Sequence, residues 1–316
     1  MTETTKYAPH YSKEDIAIAE RVNAWLVQRS YSQAALGRLA RIAASTLNQI
    51  LKGNYATSPT KQLQAVDGAM QRADDSQADA ATPPVETSVY KLAFAACGMA
   101  RRYRNFAVLS ARVGTGKTFA LKRYARSKGN THLIEATPTM TPQSLVKLLA
   151  RVVLGVEIKG GMDDRFLAVV AALRNTDSLL IIDEAETMTN KQLEVIRRLR
   201  DLADVGVVLA GTEFLSALIK PERGQFGQIR SRAGYWPETV QAITAEDAAA
   251  LVQAHLGNEE VGDDVVARLY AYSRGSARML CEGLLAGIKE FRKGREINVK
   301  LVDAVAKQAL CLQSLA

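Results

Sequence analysis

The sequence predicts an α/β protein: a mostly parallel sheet covered by helices on both faces, with a small all-α module before it and a helical region after it. Three observations predict this. Short apolar runs at 106–109, 132–136, 179–182 and 205–210 alternate with stretches of helical spacing, as expected for buried strands joined by crossover helices. Between the first run and its helix stands Ala111-Arg112-Val113-Gly114-Thr115-Gly116-Lys117-Thr118, a glycine-bearing turn in the strand–turn–helix setting of a phosphate-binding loop. The run Leu179-Leu180-Ile181-Ile182 ends in two adjacent carboxylates, Asp183 and Glu184, at the strand end where open α/β sheets bind ligands.

Composition narrows the class. At 316 residues with 47% hydrophobic side chains, the chain has length for two or three domains and a sizeable core. Aromatics at 6% suit a helix-rich protein better than a sandwich. No run approaches the roughly 18 apolar residues of a membrane span, and the first residues lack the pattern of a signal peptide. Cys97, Cys281 and Cys311 are far apart and the three histidines are scattered, so neither a disulfide framework nor a metal site emerges. A soluble protein of the reducing cytoplasm is expected. The net charge is +8. Residues 1–88 are neutral, with nine Lys/Arg against nine Asp/Glu, whereas 89–134 hold ten basic residues and no acid. That block is either a solvated basic face or the footprint of a polyanion such as DNA.

In chain order, an arm of about 15 residues precedes an amphipathic helix at 15–27 with Ile18, Val22 and Trp25 along one side. Helical segments at 32–40 and 44–52, separated by Arg41-Ile42-Ala43, resemble the helix-turn-helix of phage-repressor-like proteins. Ser32 and Ser45 are candidate N-caps, and Gly53 closes the second helix. In that motif the second helix enters the major groove, so Ser45, Thr46, Asn48 and Gln49 would face bases and Lys52 phosphate. The polar, Pro-containing stretch 72–88 reads as a linker. The expected domains are therefore 1–71, a linker at 72–88, a nucleotide domain at 89–240 and a helical region at 241–316. Further helices are expected at 90–102, 116–128, 143–153, 164–173, 190–202, 246–256, 263–273, 277–291 and 299–310.

The chemistry of the loop follows from its backbone. N–H groups around Gly114 to Gly116, at the start of a helix, favour phosphate. Val113, Gly114, Thr115, Gly116, Lys117, Thr118 and Phe119 are the candidate nucleotide contacts, with Lys117 reaching the β- and γ-phosphates of ATP. Thr118 and Asp183 would hold Mg²⁺, and Glu184 would act as general base on the attacking water. One position departs from G-x-x-x-x-G-K-[ST]: the first glycine is Ala111.

The loop, the Ile181-Ile182-Asp183-Glu184 strand and a late Gly275-Ser276-Ala277-Arg278 together resemble the AAA+ ATPases. Within them the chain is similar to DNA-transposition regulators of the phage Mu B type and, more distantly, to the Tn7-type ATPase. The resemblance implies an AAA+ core with a C-terminal helical lid. It implies that Val85 and Val89, around Val85-Glu86-Thr87, border the adenine, that Thr212 senses the γ-phosphate where many members carry Asn, and that Arg278 is the lid arginine. Arg232 would be the finger reaching a neighbouring subunit, with Arg230 as competitor; spacing from Phe226 favours Arg232. Such a protein would bind ATP, join other copies head to tail into a helical filament on double-stranded DNA, and direct a transposase, with hydrolysis dismantling the filament. Arg101, Arg102, Arg104, Thr139, Lys147 and Arg151 would be DNA-facing. The competing readings are a replication initiator or helicase loader, a helix-turn-helix transcription regulator gated by ATP, and a secretion ATPase, against which the missing membrane segment argues.

Overall fold

The computed structural model describes residues 7–28, 32–40, 42–81, 84–156, 158–220, 227–257, 259 and 261–313. The chain divides into two compact units, Met1–Pro84 and Val85–Ala316.

The first unit contains four helices, α1 (Lys13–Gln28), α2 (Gln33–Ala40), α3 (Ala44–Leu51) and α4 (Thr60–Ala81). Their apolar stripes meet in one cluster containing Val22, Trp25, Leu36, Leu47, Ile50, Leu63 and Val66. Helix α3 starts from Ala43 with no side-chain cap, so Ser45 lies inside its first turn and is not the N-cap expected from the sequence. Gly53, at φ 81°, follows its end as expected. Helix α4 continues through Ala81 and so covers most of the stretch read as a linker. The run of Ala, Asp and Gln there lacks a breaker before Pro83, which lies outside the described residues.

The second unit begins with α5 (Ser88–Tyr103), whose N-cap Thr87 accepts the Tyr90 N–H. Then follow β1 (Phe106–Ser110), α6 (Lys117–Ser127), β2 (Thr131–Glu135), α7 (Pro142–Leu154), α8 (Met162–Leu173) and β3 (Leu179–Asp183). A 3-10 turn (Ala185–Thr187) leads to α9 (Asn190–Ala203), β4 (Gly206–Gly211), α10 (Glu213–Ile219), the short α11 (Gly227–Arg230) and β5 (Ala233–Tyr235). The five strands are all parallel, in the order β2-β3-β4-β1-β5.

Period-two alternation builds both faces of the sheet. Phe106 and Val108, Leu180 and Ile182, and Val207 and Leu209 point into the layer formed with α7, α8 and α9. Ala107 and Leu109, Leu179 and Ile181, and Val208 and Ala210 point into the layer formed with α5 and α6. Burial on both sides explains why these strands read as continuous apolar runs. Helix α10 and strand β5 were not expected: the first is a single short segment, and β5 has three residues at the sheet edge.

The remaining chain is helical: α12 (Ala245–Leu256), α13 (Asp263–Ser273), a π-helical stretch (Met279–Leu285), α14 (Ala286–Phe291), α15 (Val299–Ala304) and a second π-helical stretch (Val305–Ala309). It has its own core around Ile243, Leu269, Leu280, Leu284 and Val302. No helix among the described residues is long and apolar enough to cross a membrane.

Candidate nucleotide site

Strand β1 delivers the loop. Ala111 is fully buried, donates its N–H to Gly211 O at 3.0 Å and forms a parallel bridge to Val240. It is not among the positive-φ residues, so alanine fits where the motif ordinarily has glycine. The chain then turns through Gly114 (φ 83°) and Gly116 (φ 98°), conformations that a β-carbon would strain. Thr115 locks the turn by donating its hydroxyl to Arg112 O at 2.8 Å. Gly116 is the N-cap of α6, so the helix opens toward the loop with unpaired N–H groups.

Behind the loop, Lys117 is 7% exposed and Asp183 1% exposed, with Lys117 Nζ 3.5 Å from Asp183 Oδ1. The Thr118 hydroxyl donates to Asp183 Oδ2 at 2.7 Å, and the Glu184 N–H to Asp183 Oδ1 at 3.0 Å. A buried carboxylate is costly alone, and here it is met by one cation and two donors. The sequence-predicted Lys117, Thr118, Asp183 and Glu184 are thus brought together from the start of α6 and the end of β3.

Glu184 sits just past β3 with φ 55°, a left-handed conformation uncommon for a residue with a side chain. Its carboxyl is raised above the ordinary glutamate range, first by burial and then by the neighbouring Glu186, against the pull of Lys117. On the adjoining strand, Thr212 follows Gly211. Its N–H donates to Glu186 Oε1 at 3.1 Å. The buried Thr212 Oγ1 and Glu186 Oε2 have no hydrogen-bond partner among the described residues.

The helical region closes over the loop. Arg278 N–H donates to Gly114 O at 2.9 Å, and the Ser276 hydroxyl reaches the same carbonyl at 3.4 Å. A β-carbon on Gly114 would strike the Ser276 hydroxyl. The Arg278 side chain is 61% exposed and lies 3.9 Å from Glu282. At the other border, Asp247 of α12 accepts the Ser88 N–H at 2.8 Å and the Ser88 hydroxyl at 2.5 Å, tying the start of α5 to the helical region. Val85 is half-buried beside it, while Val89 is fully buried in the core of the helical region. Val113 and Phe119 are exposed at 64% and 54%.

The residues fit a nucleoside triphosphate with its metal. A buried lysine, positive-φ glycines at a helix start and an acid–hydroxyl pair are the donors that phosphates and Mg²⁺ require. The orphaned Thr212 hydroxyl is a further polar atom with capacity to spare.

Other expected residues fall into place less uniformly. Arg232 is half-buried, with Nε 3.3 Å from Asp201 Oδ1 and Nη1 donating to Gln228 O at 2.9 Å. Asp201 is shared with Arg197 and Arg200. Arg230 donates to Lys220 O. Phe226, the origin of the spacing argument, lies outside the described residues. Arg101 is committed inside the fold, to Asp177 at 3.2 Å, Gly129 O at 3.0 Å and the Thr131 hydroxyl at 2.5 Å. That leaves Arg102 and Arg104 as the less committed pair; Arg104 is half exposed and bridges Asp204 at 2.7 Å. Thr139, Lys147 and Arg151 are all exposed, the last two one turn apart on α7. In the first unit, Ser45 and Lys52 are exposed and Thr46 and Asn48 half-buried on α3. Glu186, Ser276, Asp247 and Asp201 had no role in the sequence reading. For Glu186 the available signal is Gly211, a glycine ending an otherwise apolar strand.

These features resemble a P-loop core, and residues 100–219 match the AAA domain family. The chain is similar to transposition B proteins of Mu-like phages. It is 26% identical over 254 residues to the Mu-like prophage FluMu DNA transposition protein B of Haemophilus influenzae, covering 76% of this chain and 85% of that one. It is 28% identical over 228 residues to the ATP-dependent target DNA activator B of Escherichia phage Mu, covering 68% and 70%. Among solved structures, a RuvB mutant of Thermotoga maritima superposes with a TM-score of 0.49 at 18% identity, over 70% of this chain and 68% of that one.

Proposed function

We propose that this protein is an ATP-dependent regulator of DNA transposition, which binds ATP in the presence of Mg²⁺, assembles on duplex DNA and presents that DNA to a transposase. The observation that carries the nucleotide part is the convergence of Lys117 and Thr118 on Asp183 beneath the Gly114–Gly116 turn. The similarity to an ATP-dependent target DNA activator supports the rest.

In this reading Lys117 and the loop N–H groups hold the phosphates, and Thr118 and Asp183 hold the metal. Bound Mg²⁺ would neutralise phosphate charge. Glu184 takes a proton from the attacking water, and its raised carboxyl keeps it basic enough to do so. Thr212 reads the γ-phosphate, and Arg278 follows the state of the loop through its backbone bond to Gly114. Arg232, held here by Asp201, supplies the finger to a neighbouring copy, which makes hydrolysis depend on assembly. A head-to-tail contact between copies is heterologous and builds an open filament. Exposed Lys147, Arg151, Arg102 and Arg104 meet DNA phosphates, so binding is nearly independent of sequence and falls steeply with salt. Helices α2 and α3 act as a helix-turn-helix with Ser45, Thr46 and Asn48 toward bases and Lys52 toward phosphate. The protein works in the cytoplasm, where its DNA is.

Co-sedimentation with unrelated duplexes, with ATP, ADP or no nucleotide and across a salt series, tests this. Continuous coverage of any duplex that requires ATP and disappears in moderate salt is expected. A discrete dimer confined to one sequence would overturn it in favour of an operator-binding regulator. A ternary effect with a replicative helicase in place of a transposase would favour a helicase loader.

A further inference from the structure

Strands β3 and β4 lie side by side in register, Ile182 opposite Leu209, so their C-terminal ends emerge together. What joins these ends is Glu186. Its Oε1 accepts the Thr212 N–H at 3.1 Å, although 26 residues separate the two. Its Oε2 is buried and has no partner among the described residues, and so is Thr212 Oγ1. The strand makes room for this carboxylate. A β-carbon on Gly211 would collide with Glu186 Oε2 and come within 3.0 Å of Leu215 Cβ. Gly211 does not have a positive φ, so space alone demands glycine there.

The arrangement is costly. Placing a second acid beside Glu184 adds like-charge repulsion, and an unpaired buried carboxylate oxygen carries a desolvation cost. An apolar side chain would satisfy local folding more cheaply. An acceptor at this position does one thing such a replacement would not: it fixes the backbone of Thr212, and with it the origin of the Thr212 hydroxyl, relative to Asp183 and Glu184.

We infer that Glu186 is a positioning residue for γ-phosphate recognition, holding Thr212 through its N–H so that the β4 end distinguishes ATP from ADP. The inference rests on the nucleotide-binding reading above. Glu186 touches neither nucleotide nor attacking water; it acts through Thr212. A glutamine retains a carbonyl acceptor and substitutes for it, whereas a methionine fills similar space without an acceptor strong enough to hold the N–H.

The test measures ATP and ADP affinities by titration calorimetry, and kcat and KM for ATP, on the full chain with duplex DNA and Mg²⁺. For Glu186→Met, ADP affinity stays at the wild-type value while the preference for ATP over ADP falls about tenfold and kcat falls with it. Glu186→Gln restores both. Unchanged ADP affinity shows that the loop has folded. If Glu186→Met does not fold, Gly211→Ala, which pushes the carboxylate aside from β4, reads the same ratio. An unchanged ATP-to-ADP preference and kcat in a folded variant overturn the role of Glu186 while leaving the ATP site intact. Wild-type protein that binds neither nucleotide overturns the underlying reading, and this inference with it.

Discussion

The nucleotide core and the first helical unit spend their polar residues in opposite ways. At the ends of β1, β3 and β4 polar side chains are wholly or partly buried and tied to neighbouring side chains or backbone: Lys117 and Thr118 to the Asp183 carboxylate, Glu186 to the Thr212 N–H, and the Ser276 hydroxyl to the Gly114 carbonyl. On α3 and at its C-cap, Ser45 and Lys52 face solvent, Thr46 and Asn48 are half-buried, and the fully buried residues are the apolar Leu47, Ile50 and Leu51. Burying polar groups has a stability cost unless they are satisfied, so their geometry in the core is set before any ligand arrives. An exposed polar face costs little and takes its geometry from its partner. In the proposed function the core is therefore a preorganised site, and α3 a surface whose selectivity would depend on what docks against it.

The largest effects are expected in the core. Lys117→Ala removes the buried cation beside Asp183 that the proposed function assigns to the phosphates. ATP affinity measured by calorimetry is expected to fall by about 100-fold or more, with DNA coverage lost in parallel. Glu184→Gln leaves binding intact while steady-state hydrolysis falls roughly 10²- to 10⁴-fold, and the ATP-bound state persists on DNA. Normal turnover in that variant would remove Glu184 as the base. Arg232→Ala leaves the affinity of an isolated subunit unchanged while DNA-stimulated hydrolysis falls by about 10³-fold; if Arg230→Ala gives that result instead, the finger is Arg230.

Smaller effects sharpen the contrast. Phe106 is fully buried between β1 and the helix layer, and Phe106→Ala should cost about 3–5 kcal/mol of unfolding free energy, measured by denaturant titration. At the surface, Lys52→Ala should leave ATP affinity unchanged and reduce the slope of log affinity for DNA against log salt by about one. An unaltered slope would show that α3 does not meet phosphate.

The same contrast explains what the sequence disclosed. Strand β1 was legible to within one residue and the helix Asp263–Ser273 to the residue, because local chemistry sets their ends: an apolar run entering a glycine turn in one case, a Gly262 N-cap with acids in the first turn in the other. The loop and its Asp183-Glu184 partner were legible because their spacing and strand context carry the chemistry directly. Glu186 was not, since its role exists only where two strands far apart in sequence end side by side. Arg101 misled for a related reason. Its charge is visible in the sequence, but its burial against Asp177, Gly129 and Thr131 depends on three other segments. Helix α4 was not expected, and it runs through most of the stretch read as a linker because composition alone does not separate an Ala-rich linker from an Ala-rich helix.

In the proposed function, nucleotide state governs assembly on DNA. Electron microscopy of the protein with a random-sequence duplex, with a non-hydrolysable ATP analogue and then with ADP, tests it most directly. Continuous protein-coated duplex with the analogue and bare duplex with ADP is the predicted result. Equal coverage in both nucleotide states, or none in either, would contradict it.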